Sequence, residues 1–296
     1  MMQRFVYHAR GLDHIETGDP CQDAYLTARC GDAMVFGVSD GVGSRKHSER
    51  GSRVAVASAV LYVSNHLESG MADEDVQDVI RAGFAVAYHT VCDTARRAGE
   101  PARELDATLC VGVWDGKRLS WGQAGDSGMV AALATGEYVM VTHQQHDDAG
   151  GMIPLRFGPD TWEFGTVEGN VASVLAATDG LFERLCPKLL RETEQQVYVP
   201  LARKLLHRTE ATAEERHGLD RRLRNIIRRE PHLHTVDDAT LLLLYDPERP
   251  PATLDDAYYQ EPAWEELRNA VAERIKKEWA AETAHMKRLQ VKGVEQ

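Results

Sequence analysis

The sequence is poor in cysteine and in long hydrophobic runs, and both shortages limit the kind of protein that it encodes. None of its five cysteines stands in a CxxC pair, so we expect neither a disulfide framework nor a zinc site. The longest apolar runs are far too short to cross a bilayer, and no apolar segment near residue 1 resembles a signal peptide. We therefore expect a cytoplasmic protein without a membrane partner.

Positive charge is also scarce. The chain has 34 lysine and arginine residues against 46 aspartate and glutamate residues, which gives a formal net charge of -12 over 296 residues. This balance argues against nucleic acid or an anionic membrane surface as the principal partner. The length suffices for one large or two small domains with a sizeable core.

What the sequence does contain is a set of acidic residues at the ends of short apolar runs. Each acid taken alone predicts only a turn, because Asp-Gly after a strand is a common turn dipeptide. If the runs are strands of one sandwich, however, the acids would crowd together and stay ionised only beside divalent cations. Oxygen ligands favour Mg²⁺ or Mn²⁺ over zinc. The acids in question are Asp40, Asp126, Asp179, Asp237 and Asp238.

Five short motifs follow one another along the chain. They are Gln22-Asp23, Ser39-Asp40-Gly41-Val42-Gly43, Gly125-Asp126-Ser127, Thr178-Asp179-Gly180 and Asp237-Asp238-Ala239-Thr240. Each motif alone is a weak signal, but in this order they resemble the motifs of the metal-dependent protein phosphatases of the protein phosphatase 2C family, in its bacterial form. Because the resemblance runs from about residue 11 to residue 245, we expect one phosphatase domain at residues 1–246.

The resemblance implies an α+β fold, namely a four-layer α-β-β-α sandwich of two mainly antiparallel sheets flanked by helices. The alternation of strand hairpins with paired helical segments in the sequence agrees with it. Helices are predicted from residue 48, from about residue 73, and over residues 187–207 and 212–229, whereas residues 12–20 are predicted to be a loop. The His-rich and Asp-rich stretch 143–148 is interpreted as the entry to a flap at 150–159 rather than as a metal cluster.

The C-terminal part of the chain extends beyond what phosphatase chemistry requires. Three prolines within residues 247–251 predict a linker at 247–262, and residues 263–292 predict an amphipathic helical extension. We expect this helix to dock on its own domain or on a second copy in a homodimer, with a separate partner protein as the other choice. Its apolar positions are Trp264, Leu267, Val271, Ile275, Trp279, Met286 and Leu289.

The resemblance also implies an activity. It implies a serine/threonine phosphatase that depends on Mn²⁺ or Mg²⁺ and hydrolyses phosphoserine and phosphothreonine in proteins through a metal-activated water, without a phosphoenzyme. The partner would be a phosphorylated protein, and the enzyme would oppose a serine/threonine kinase.

Roles for individual residues come from the same resemblance. Asp40 would bridge two core ions, the Gly41 carbonyl would bind one of them, and Asp179 and Asp237 would hold the other. Because neighbouring side chains of an extended segment point to opposite sides, Asp238 would face away. Asp126 and Glu183 would belong to a third, weaker metal site, and Asp23 would orient the attacking water or take its proton.

Two positions depart from the family pattern. Val42 stands where eukaryotic members have a histidine acid, and Gly18 stands where the arginine that grips the substrate phosphate is expected. Arg10, His14 and Arg45 are the candidate replacements for that arginine. Two alternatives stay open. A phosphatase of small phosphoesters is compatible with an open flap, and the missing arginine leaves room for a weakly active or inactive phosphatase-like binding and regulatory module.

Overall fold

The computed structural model of the chain describes residues 1–191, 193–210 and 212–293. The strands are β1 (Gln3–Ala9), β2 (Ala24–Cys30), β3 (Ala33–Ser39), β4 (Leu109–Trp114), β5 (Leu119–Ala124), β6 (Gly128–Leu133), β7 (Tyr138–Met140), β8 (Glu163–Thr166), β9 (Val171–Ala177) and β10 (Ala239–Tyr245). The α-helices are α1 (Leu12–Thr17), α2 (Ser48–His66), α3 (Asp73–Ala98), α4 (Asp179–Leu185), α5 (Val199–Leu206), α6 (Ala213–Arg216), α7 (Leu219–Arg229) and α8 (Trp264–Gly293).

The strands form two five-stranded antiparallel sheets. Sheet A has the order β1-β10-β9-β6-β7, and sheet B has the order β2-β3-β4-β5-β8. Helices α2 and α3 pack on the outer face of sheet B, while α4, α5 and α7 pack on the outer face of sheet A. The predicted α-β-β-α sandwich is therefore confirmed.

Strand β10 shows how the sequence produces these layers. Its four leucines are completely buried, and their side chains alternate between the two faces of the sheet. Leu241 and Leu243 belong to the core under the helices of sheet A, whereas Leu242 and Leu244 belong to the core between the two sheets. A strand that is buried on both faces has an unbroken run of apolar residues, as residues 241–244 do.

Three predictions of secondary structure, two of helices and one of a loop, were wrong in detail. The described residues of 187–207 form a 3₁₀ turn at Lys188–Leu190 and the helix α5. Tyr198, just before α5, is buried and donates its backbone N–H to the Leu185 carbonyl. Residues 12–20 were predicted to be a loop but contain α1, which ends at Gly18 with φ 83°. Gly218, at φ 76°, separates α6 from α7 in the segment predicted as one helix.

The segment predicted as a flap lies against the end of strand β4. Leu155 is only 2% exposed and donates its backbone N–H to the Ala107 carbonyl. Residues 143–161 consequently border the end of the sandwich where β3 and β5 finish.

The C-terminal extension begins on the surface of sheet A. In residues 247–262, Tyr258 accepts a hydrogen bond from the Tyr138 N–H at 2.7 Å, and the Arg203 guanidinium lies 3.8 Å from the centre of the Tyr259 ring. Helix α8 then packs Trp264 and Leu267 against the same core. Further along the helix Ile275 is 55% exposed and Trp279 is 75% exposed, while the predicted apolar side chains of residues 286 and 289 lie outside the described part.

The helices in the described part of the chain are all too short or too polar to span a bilayer.

Candidate metal centre

Three aspartates meet at one end of the sandwich. Asp40 follows β3 of sheet B, Asp126 lies in the connection between β5 and β6, and Asp179 opens α4 after β9 of sheet A. One carboxylate oxygen from each lies within 4.8 Å of the others. The trio of Asp40, Asp126 and Asp179 therefore lies between the two sheets and receives residues from both of them.

Backbone hydrogen bonds hold Asp40 at this position. Its N–H donates to the Thr108 Oγ1 at 2.8 Å, and the Thr108 N–H donates to the Asp40 carbonyl at 2.8 Å. The next residue, Gly41, packs so closely on the start of α2 that a Cβ atom would lie 2.7 Å from the Ser48 backbone. Only glycine fits this close approach, which brings the backbone of residue 41 to the edge of the trio.

A second close approach places Asp237 beside Asp179. A Cβ atom at Gly180 would lie 2.5 Å from the Asp238 carbonyl and 3.7 Å from the Asp237 Cβ. Burial raises the pKa of Asp237, and the negative charge of Asp179 raises it further. The Asp237 carboxylate is thus close enough to the trio to interact with its charge.

Asp238 has a different environment from that of its neighbour. It is 2% exposed and accepts backbone hydrogen bonds from Gly11 and from Gln22, both at 2.6 Å, while the His14 Nδ1 lies 3.0 Å away. Burial alone would raise the pKa of Asp238, but the hydrogen bonds from Gly11, His14 and Gln22 outweigh it and lower that pKa. Asp238 therefore links the start of β10 to helix α1 and to the residues just before β2.

Asp23 lies deep in the same region. Its Oδ2 accepts hydrogen bonds from the Thr178 and Thr240 hydroxyls at 2.8 and 2.7 Å, whereas its buried Oδ1 has no partner. Burial raises the pKa of Asp23 to about 7, against the opposing effect of the two threonine hydrogen bonds. The group can hold or release a proton near neutral pH.

Two members of the trio, Asp40 and Asp126, have a raised pKa. Burial raises the pKa of Asp40 well above its usual range, and the charges of Asp23, Asp179 and Asp126 add to this effect. Burial together with the charges of Asp179 and Glu183 raises the pKa of Asp126 to about 7, and its buried Oδ1 has no hydrogen-bond partner.

Such a cluster fits divalent cations. Carboxylate oxygens are the ligands that Mg²⁺ and Mn²⁺ prefer, and a cation would supply both the missing charge balance and the missing partner of the Asp126 Oδ1. The residues present therefore fit the predicted metal chemistry.

Two further side chains lie beside Asp126. Glu183, one helical turn after Asp179, is partly exposed and lies 3.4 Å from the Lys188 ammonium. The His146 Nε2 lies 3.9 Å from the Asp126 Oδ2, whereas the sequence predicts residues 143–148 only as the entry to the flap. The only sequence signal for His146 was its residue type in a polar stretch.

The three candidates for holding the substrate phosphate have different surroundings. Arg10 is exposed and donates to the Asp19 carbonyl at 3.0 Å. His14 lies against Asp238, and although burial alone would lower its pKa, the hydrogen bond to Asp238 and the neighbouring acids raise it. The Arg45 Nε lies 3.6 Å from the buried Asp106 carboxylate.

Asp106 also pairs with an arginine that the sequence analysis missed. The Arg156 guanidinium donates two hydrogen bonds to Asp106, at 2.5 and 3.0 Å. This pair joins the segment after β7 to the loop before β4, and no local pattern in the sequence could have indicated it.

Comparison with known proteins agrees with the motif order. A profile described as Protein phosphatase 2C matches residues 10–228. The chain belongs to the protein phosphatase 2C family. A curated relative, serine/threonine-protein phosphatase 3 of Escherichia coli (strain K12), is 28% identical over 266 residues, which cover 82% of this chain and 98% of the relative.

Solved structures of phosphatases share the fold of this protein phosphatase 2C member. The serine/threonine phosphatase PstP/Ppp of Mycobacterium tuberculosis superposes with a TM-score of 0.55 at 15% identity, covering 82% of this chain and 98% of that one. The catalytic domain of PstP in complex with two manganese ions gives a TM-score of 0.54 at 17% identity, with 82% and 97% coverage. At these identities the likeness concerns the fold alone.

Proposed function

We propose that the protein is a serine/threonine phosphatase that depends on Mn²⁺ or Mg²⁺ and hydrolyses phosphoserine and phosphothreonine in proteins. Water is the nucleophile, and no phosphoenzyme forms. The observation that carries the proposal is the trio of Asp40, Asp126 and Asp179, which a protein phosphatase 2C chain presents at the end of its sandwich. Support for the metal comes from the family relative PstP, whose catalytic domain was solved with two manganese ions.

The ligands are assigned as the motifs suggest. Asp40 and the Gly41 carbonyl, with Asp179 and Asp237, would hold two core ions, and Asp126 with Glu183 would hold a third. When bound, Mn²⁺ or Mg²⁺ would lower the pKa of a coordinated water and neutralise charge on the phosphoryl oxygens.

Asp23 serves as the proton acceptor in this proposal. Its Oδ2 is held by Thr178 and Thr240, so its orientation is set, while its Oδ1 remains free to accept a hydrogen bond from water. In the metal-free protein burial raises the pKa of this carboxyl to about 7, and a carboxylate held in a fixed orientation beside the attacking water can act as its general base.

His14 is the best placed of the three phosphate candidates. Burial alone would lower its pKa, but the hydrogen bond to Asp238 and the charges of Asp238 and Asp237 raise it, and a protonated imidazole would attract a phosphate dianion. Burial raises the pKa of Asp237, a proposed core ligand, and His14 is close enough to that carboxyl to oppose the rise, whereas the Arg45 Nε lies 3.6 Å from Asp106. His14 would thus take the place of the arginine that Gly18 lacks.

The enzyme domain would end near residue 246, because β10 pairs with both β1 and β9 in sheet A. The opposing serine/threonine kinase and the cytoplasmic location stay predictions.

The test measures hydrolysis of a phosphothreonine peptide and of p-nitrophenyl phosphate, with Mn²⁺ and with excess EDTA. We expect turnover only with the metal, and a fall of at least about 100-fold in Asp40→Ala, because that change removes a ligand of both core ions. Asp32→Ala is the matched control, since Asp32 is an exposed aspartate at the other end of β3. Full turnover in EDTA, or equal activity of Asp40→Ala and Asp32→Ala, would overturn the proposal.

A further inference from the structure

A cleft of about 350 Å³ begins at Glu183 and runs towards the C-terminal helix. Its lining includes Glu183 and Arg184 of α4, Tyr198 just before α5, His232 of the 3₁₀ turn Pro231–Leu233, and Trp264 and Arg268 of α8. We call it the Tyr198 cleft. Glu183 lies one helical turn from Asp179 on α4, and its charge adds to the effect of burial in raising the pKa of Asp126, so this residue borders both the cleft and the metal centre.

Aromatic rings form the floor of the Tyr198 cleft. The Tyr198 ring contacts His232 and Trp264 edge-on, at centroid distances of 5.1 and 5.4 Å. The Tyr198 hydroxyl donates to the Glu261 carboxylate at 2.8 Å, and its backbone N–H donates to the Leu185 carbonyl at the end of α4. The floor is thus fixed to the helix that carries Asp179.

The rim of the cleft carries two arginines, Arg184 and Arg268. Within the described part of the chain, neither Arg184 nor Arg268 forms an ion pair, and both are exposed. The one acid of the lining, Glu183, already has Lys188 beside it at 3.4 Å. On a chain of net charge -12, two free guanidinium groups above an aromatic floor select an occupant that is both acidic and apolar.

We propose that the Tyr198 cleft binds the segment of the phosphoprotein substrate that flanks the phosphorylated residue, and that it selects segments in which an apolar side chain lies next to acidic residues. The inference rests on the proposed phosphatase function. The apolar side chain packs on Tyr198 and Trp264, and the acidic residues pair with Arg184 and Arg268. The C-terminal extension is then part of the substrate-binding surface, because two of the lining residues belong to α8.

The experiment compares kcat/KM for an acidic phosphothreonine peptide with kcat/KM for p-nitrophenyl phosphate, which is too small to reach the cleft. We expect Trp264→Ala and Arg268→Glu each to lower the ratio of the two values by about tenfold, the usual cost of an interface anchor. The matched controls are Trp279→Ala and Lys277→Glu, which replace a second tryptophan and a second basic residue further along α8. Lys277 lies nine residues, or about 13 Å, beyond Arg268. A basic version of the peptide should lose little from Arg268→Glu.

Binding of the fluorescently labelled acidic phosphopeptide in EDTA, followed by anisotropy, tests the cleft without turnover. An unchanged ratio and unchanged anisotropy in both Trp264→Ala and Arg268→Glu overturn the inference. If the wild-type protein hydrolyses neither substrate, the proposed function fails, yet weaker peptide binding by the two variants still supports the cleft. Because Arg268 is exposed, its variant separates loss of binding from loss of folding.

Discussion

At the scale of single residues, Asp237 and Asp238 are neighbours with opposite environments. Burial and the charge of Asp179 raise the pKa of Asp237, whereas three hydrogen-bond donors lower the pKa of Asp238 below its usual value. The first carboxylate lacks compensating charge, and the second already has it. We therefore expect Asp237 to contribute to metal binding and Asp238 to contribute to the stability of the fold.

Asparagine at each position should separate these two roles. We expect Asp237→Asn to raise the Mn²⁺ concentration needed for half-maximal activity while leaving the melting temperature of the metal-free protein unchanged or higher. Asp238→Asn should lower the free energy of unfolding by about 2 kcal/mol, since it removes charge-assisted hydrogen bonds to Gly11 and Gln22. Metal titrations and urea melts measure the two effects, and the reverse ranking would show that the register is wrong by one residue.

The raised pKa values of Asp23 and Asp126 predict how the metal-free protein responds to pH. Each pKa rises from 3.8 to about 7 on folding, so the folded state keeps protons that the unfolded state releases near pH 4. Stability from this source is present at low pH and is lost as the pH rises towards 7. In EDTA the melting temperature should therefore fall between pH 5 and pH 7.5, and the apparent Mn²⁺ affinity should rise over the same range.

Asp126→Asn is the control for this pH dependence. The variant should show a shallower fall of the melting temperature in EDTA, because one of the acids that titrate is gone. A melting temperature in EDTA that rises steadily from pH 5 to pH 7.5 would contradict the assigned environments.

At the scale of elements, strands were easier to predict than helices. The strands that carry the site are buried on both faces, so their apolar runs mark them, and the acid after each run marks its end. Helix α1 has no buried residue, and it therefore leaves no apolar stripe for periodicity to detect. The shortened helix near Tyr198 depends on a contact with Leu185 that local sequence does not encode.

The same limit applies to the candidate site. The sequence could indicate which acids share the site, because each follows or precedes a strand. It could not indicate the pairing of Arg156 with Asp106 or the approach of His146 to Asp126, since both join residues at least twenty positions apart. It also left the roles of Asp237 and Asp238 to the family pattern alone.

Two truncations should divide the C-terminal extension into a docked part and an exposed part. Ending the chain after residue 246 removes Tyr258, Tyr259, Trp264 and Leu267 from the core of sheet A. Since a fully buried apolar side chain contributes about 1.5 to 3 kcal/mol, we expect the free energy of unfolding to fall by at least about 3 kcal/mol. Ending the chain after residue 274 keeps these contacts and should change it by less than about 1 kcal/mol.

Urea melts of both truncated proteins, with sedimentation to follow their mass, provide the measurement. If the exposed Ile275 and Trp279 join two copies, only the full chain and not the version ending at residue 274 sediments as a dimer. Equal stability of the two truncated proteins would show that the extension contributes nothing to the core.

At the scale of the whole molecule, the metal centre joins the two sheets. Asp40 comes from sheet B, Asp179 from sheet A, and Asp126 from the connection between them. A cation that binds only the folded protein stabilises it by mass action. At 100 times its dissociation constant, Mn²⁺ should raise the free energy of unfolding by about 2.7 kcal/mol, and Asp40→Ala should abolish this gain in a urea melt.

The division of the ligands between two sheets also has a kinetic consequence. A chain in which only one sheet has formed holds at most part of the ligand set, so the cation gains its full affinity after the sheets have come together. An interaction that forms late slows unfolding and leaves the folding rate nearly unchanged. We therefore expect bound Mn²⁺ to slow unfolding and to leave the formation of the folding nucleus unchanged. Its removal would shorten the lifetime of the native state more than it delays refolding.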